Sequence, residues 1–167
     1  MNSISVRNPI NWSTIILFVL GFWLSSSLLL DCLVIPGLLA AGMMTQPGFA
    51  SAGYLIFGTF NRLELLAAAT ALTGCLVFRY QHNFPHRQEM WSLVLGTILL
   101  VIPLAYTYIL TPEMSSLGLS LDVTNPIAQD FSTMRLMHGI YWVLEISKLI
   151  IGSILLRWFY RSSCTLV

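Results

Sequence analysis

Charge is scarce in this chain. Of its 167 residues, 9 % are Asp, Glu, Lys or Arg, eight basic against seven acidic, far below the roughly 25 % of an ordinary soluble domain. A net charge of +1 offers no basic surface for DNA or RNA. Cysteine is sparse as well. Cys32, Cys75 and Cys164 form no Cys-x-x-Cys pair, which argues against a disulfide framework or a zinc knuckle and leaves three small apolar thiols. Phosphate loops, nucleotide fingerprints and hydrolase signatures are missing. So is any Glu-x-x-His pair of the kind that builds carboxylate-bridged di-iron sites. His82 and His86 have the spacing of two metal ligands on a helical turn, but Pro85 stands between them. The stretch "RYQHNFPHRQE" therefore reads as a basic loop at a membrane surface.

What the chain has in abundance is apolar length. Hydrophobic residues make up 56 %, arranged in four runs of spanning size, since a helix crosses the hydrocarbon core in roughly 20 residues. The predicted spans are at about 13–40, 53–78, 90–110 and 133–159, within one domain covering 1–167, and an outer loop is predicted at about 111–132. Helices rather than strands follow, because backbone exposed to lipid must satisfy its own hydrogen bonds. The fold class is thus all-α, an integral membrane bundle of four transmembrane helices. The first run is too long for a cleaved secretory signal, and Asp31 before Cys32 is unlike a lipoprotein signal. Pro103 is expected to kink the third span. In the outer loop, Thr111-Pro112 and Asn125-Pro126 read as turns, with Asp130 or Ser132 capping the fourth helix. That loop is read as a connector.

Four crossings put both termini and the connection between the second and third spans on one side. That side carries Arg7, Arg79, Arg87, Arg157 and Arg161, whereas the other has only Arg135 together with Glu113, Asp122 and Asp130. By the positive-inside rule both termini are cytoplasmic, in a plasma or a thylakoid membrane.

Against this apolar background the embedded polar residues stand out. At about 100° per residue, His138, Tyr141, Glu145 and Lys148 share an arc of roughly 80° on the fourth helix. Glu145 and Lys148 are placed to pair directly. Asp31 in the first span and Asn61, Arg62 and Glu64 in the second lie in the outer half, where Arg135 and His138 are available as partners. Isolated charges at that depth are unfavourable by several kcal/mol. All nine residues, Asp31, Asn61, Arg62, Glu64, Arg135, His138, Tyr141, Glu145 and Lys148, are therefore expected to form one intramembrane network. Small residues four apart, Ala67 and Ala71, Thr70 and Gly74, and Gly21 and Ser25, are expected to let the helices pack closely.

The stretches "DCLVIPGLLAAGMMTQPGFASAGYLIFGTFNRLELLAAATALTG" and "DFSTMRLMHGIYWVLEISKLIIG" resemble a family of small four-helix membrane domains of unknown function, the group that includes eukaryotic transmembrane protein 205. The "GMM" before "GFASAGY", the "FNRLEL" of the second helix and the Phe, His, Glu, Lys pattern of the fourth are similar to cyanobacterial members. The resemblance implies the fold and membrane placement. It supplies no activity.

Three functional readings follow. The leading one is a non-enzymatic auxiliary membrane protein that binds a membrane-protein partner or a lipophilic ligand, alone or as a homo-oligomer. The alternative is a small proton-coupled or ion-conducting transporter using Asp31, Glu64, His138 and Glu145 as a ladder, although the chain is short and lacks inverted repeats. Third is a haem-binding redox protein. His138 is the only histidine at membrane depth, so bis-His ligation within one chain is excluded. Met43, Met44, Met134, Met137 or a symmetry mate would have to supply the second ligand.

Overall fold

The computed structural model describes residues 11–43, 46, 48–81, 85–123 and 128–165. Arg7, Met44, His82 and the Asn125-Pro126 turn lie outside the described residues, as do the side chains of His86, Asp122, Asp130 and Cys164. Four long helices account for the fold. Helix α1 spans Trp12–Ala40, α2 Phe49–Tyr80, and α4 Ala128–Thr165. Helix α3 runs through His86–Ala105, Tyr106–Leu110 and Thr111–Val123. All four contain windows long and apolar enough to cross a membrane.

The helices form a square in which α1 packs on α2 and α4, and α3 packs on α2 and α4. Gly48, at φ 84°, lets the chain turn into α2 in a left-handed conformation that other residues rarely adopt. At the other turn Pro85, with φ −57°, is the N-cap of α3, and its carbonyl accepts from the Gln88 and Glu89 amides. His86 therefore opens α3 instead of lying in a surface loop.

Two helices contain a widened π-turn, Leu30–Val34 in α1 and Tyr106–Leu110 in α3. Both stand two residues ahead of a proline: Ile35 N–H bonds to Leu30 O before Pro36, and Thr111 N–H bonds to Tyr106 O before Pro112. A proline inside a regular helix removes one bond and pushes on the carbonyl four residues back, and an i→i+5 turn absorbs this. Pro112 thus becomes the second residue of a new α segment, where its missing N–H is tolerated. The predicted loop at 111–132 is corrected accordingly. The chain stays helical to Val123 and resumes at Ala128, so Asp130 and Ser132 lie inside α4 and are not its caps.

The two ends of the bundle differ. Toward the end carrying the termini, Ile16, Leu20, Ala71, Leu99, Leu155 and Phe159 are fully buried, and the Phe78 and Phe159 rings meet edge to face at 4.8 Å. Close approach depends on glycine at two contacts. A Cβ on Gly74 would sit 2.1 Å from Ile16 Cδ1, and one on Gly152 would sit 2.7 Å from Leu24 Cδ2. Gly21 and Ser25 make no such contact: a Cβ on Gly21 meets nothing within 4 Å, and Ser25 is exposed. At the distal end the packing opens. Among the described residues, no other helix closely approaches the α1 backbone from Leu30 to Ala40.

Candidate functional site: a polar chain at mid-membrane

Lys148 is the only lysine in the sequence, and it is 1 % exposed. It sits close to the middle of its span, level with Glu145 and Glu64. Its ammonium lies against Glu64 Oε1 and 2.7 Å from Glu145 Oε1, with both acids as buried as the lysine. Glu145 Oε1 has no other partner among the described residues. Two aromatic rings close the shell, Tyr106 at 5.6 Å and Trp23 at 6.0 Å from Nζ, a range in which a ring face attracts a cation.

From this ion-paired centre, hydrogen bonds run outward on every helix. Glu64 Oε1 also accepts from Trp23 Nε1 at 2.9 Å and Ser27 Oγ at 3.2 Å. The Tyr106 hydroxyl reaches Glu145 Oε2 at 3.2 Å and the Tyr141 carbonyl at 3.3 Å, two acceptors for one proton. Tyr141 donates to Asp31 Oδ1 at 3.2 Å, about 8–10 Å distal to the lysine along the helices by their rise per residue. Asp31 and Tyr106 both belong to the π-turns, so the prolines that force those turns also set the backbone from which these side chains enter the cluster. Asn61 stands apart and clips α2 to α3 through Thr111 Oγ1 at 2.7 Å.

Of the nine residues expected in one network, the structure joins Asp31, Glu64, Tyr141, Glu145 and Lys148. It leaves out four, Asn61, which bonds to Thr111 instead, and Arg62, Arg135 and His138, and the expectation is corrected for each. Arg62 and Arg135 are exposed, because both stand on the outward face of their helix, well over 90° from its buried side at 100° per residue. His138 lies on the flank of α4 that turns toward α1, the flank that presents Ser163 to Ser13 and Gly152 to Leu24. Because α1 leaves the bundle beyond Leu30, that flank is uncovered. His138 is exposed, with Nδ1 bonded to the Met134 carbonyl at 2.9 Å. Of the proposed second haem ligands, Met43 is exposed while Met134 and Met137 are half-buried on α4 itself.

Sequence reasoning missed Trp23, Ser27 and Tyr106. The first two were within reach, since Trp23, Ser27 and Asp31 recur every four residues on one face of α1. Tyr106 gave no such signal, because its ring belongs equally to the apolar cluster with Ile102 and Leu110.

Chemically, the cluster sets three carboxyls, Asp31, Glu64 and Glu145, against one ammonium. Each carboxyl is held by a donor on another helix. Among the described residues no group of three His, Cys, Asp or Glu side chains is arranged to hold a metal ion. From Glu64 toward the terminal end, the next buried residues of α2 are Ala68, Ala71 and Gly74, so about 16 Å of apolar packing lies between Glu64 and Cys75.

Fold and site together define a multi-pass, all-α membrane protein whose four helices are joined by a buried ion-pair network. No family model, curated protein or solved structure matches the chain.

Proposed function

We propose that this chain is a non-enzymatic auxiliary protein of the membrane that binds another membrane protein through the lipid-facing side of α2, with both termini in the cytoplasm. The observation that carries the reading is Arg62. It is exposed, makes no ion pair or hydrogen bond among the described residues, and lies about 5 Å from the middle of its span by the rise per residue. A guanidinium at that depth is stabilised by a carboxylate. Among its described residues, a second copy of this chain offers none at the same level. Asp31, Glu64, Glu89 and Glu145 are buried, and the exposed Glu113 lies roughly 16 Å from mid-span. A different membrane protein, with an acidic residue in its own spanning helix, supplies the missing charge. Beside Arg62, an apolar groove of about 390 Å³ between α1 and α2, lined by Leu30, Ile56, Thr59 and Leu63 among others, offers that helix a seat. The polar cluster supports this reading as a frame, since its residues bind one another across the four helices and none of them lines this groove.

Arg62→Glu tests it in native membranes extracted with mild detergent. The parent protein is expected to migrate in native electrophoresis as a defined complex with one membrane protein. Arg62→Glu should release it, and a compensating acid-to-Arg change in the partner should restore the complex. A solitary parent protein, or a complex indifferent to Arg62→Glu, overturns the proposal.

A proton-coupled or ion-conducting role draws on the hydrogen-bonded run from Asp31 to Glu64. The apolar packing beyond Glu64 weighs against it, since that half of the bundle offers no polar continuation along the interior of α2. The resemblance of the quoted stretches to the transmembrane protein 205 group implies only a four-helix membrane fold and is neutral between the two roles.

A further inference from the structure

A second groove, of about 640 Å³, follows the distal half of α4, and among the described residues its lining comes from α4 alone. Its lining has a direction. Ser132 and Arg135 stand at the membrane-surface end, and below them come Gly139, Ile140, Val143 and Leu144. From Ser132 to Leu144 the helix rises about 18 Å, comparable to the depth of one leaflet's hydrocarbon. The middle of the groove is open at Gly139, where a Cβ would meet nothing within 4 Å. Among the described residues, the exposed Arg135 makes no ion pair or hydrogen bond and no carboxylate lines the groove.

We infer that this groove is a binding site for an anionic glycerophospholipid, its phosphate on the Arg135 guanidinium and one acyl chain lying over Gly139 against Ile140 and Val143. The charge at the mouth is complementary to a phosphate, the planar fork of Arg suits two of its oxygens, and the depth and apolar lining below suit a fatty chain. The site is independent of Arg62 and of the face proposed for the partner protein.

Native mass spectrometry of the detergent-purified chain tests this, with back-titration of phosphatidylglycerol against phosphatidylcholine of identical chains. The parent protein should retain phosphatidylglycerol about fivefold better, the effect of one basic residue near an anionic headgroup. Arg135→Gln should abolish that preference, and Gly139→Leu should lower retention of both lipids. Neither change should shift the thermal unfolding of the chain, because Arg135 is exposed and a side chain added at Gly139 enters open space. Excess inorganic phosphate should not displace the lipid. Equal retention of both lipids by the parent protein overturns the assignment. So does a preference that survives Arg135→Gln, or retention that Gly139→Leu leaves untouched.

Discussion

The terminal half of the bundle and its middle are held together by opposite means. Toward the termini, helices approach through glycine and interlocking apolar side chains, Gly74 under Ile16 and Gly152 under Leu24. In the middle, the carboxylates of Glu64 and Glu145 and the rings of Trp23 and Tyr106 bring all four helices to Lys148. In lipid the first kind of contact lacks the hydrophobic drive it has in water, because hydrocarbon tails are as apolar as leucine. It gives close packing but tolerates sliding. The second kind is directional, so it fixes which residues stand level with one another. Packing brings the helices together, and the ion pairs specify their register.

Substitutions at the ion-paired centre and in the apolar half should differ in cost accordingly. Lys148→Met removes the cation buried between Glu64 and Glu145 and leaves the two acids facing each other, which should destabilise the detergent-solubilised protein by about 3–5 kcal/mol in denaturant or thermal unfolding. Leu155→Ala empties a fully buried position of the terminal core and should lower stability by about 2–4 kcal/mol, more if the site cannot collapse. Gly74→Ala places a methyl where Ile16 now lies. It should destabilise by about 1–3 kcal/mol through overpacking, and Ile16→Ala in the same chain should restore part of the loss. Tyr141→Phe deletes the hydroxyl that reaches Asp31 and should remove about 1 kcal/mol, the usual size of one interhelical hydrogen bond in a membrane. Arg62→Leu should leave unfolding within about 0.5 kcal/mol of the parent protein, as expected of a surface position without partners.

The four spans and their membrane setting were legible in the sequence because apolar length is a one-dimensional signal. Glu145 and Lys148 were legible as a pair for the same reason, since their spacing fixes their geometry within one helix. Arg62, Arg135 and His138 were misplaced because their surroundings depend on neighbouring helices. Depth along a segment was right to group them, but rotation and the departure of α1 beyond Leu30 put them outside. The π-turns explain another miss. Proline was read at Thr111-Pro112 as a turn, whereas one extra residue per turn lets α3 continue past it. That choice rests on a backbone adjustment that no spacing rule records.

The most direct test of register by charge is a double-mutant cycle on Glu64 and Lys148, with Glu64→Gln, Lys148→Met and the pair compared by reversible unfolding in detergent. Register set by charge requires a coupling of about 2 kcal/mol or more, with the double variant more stable than Lys148→Met alone, because removing both partners leaves one fewer uncompensated charge in the core. Effects that add to within about 0.5 kcal/mol would contradict it and leave the bundle held by apolar packing alone.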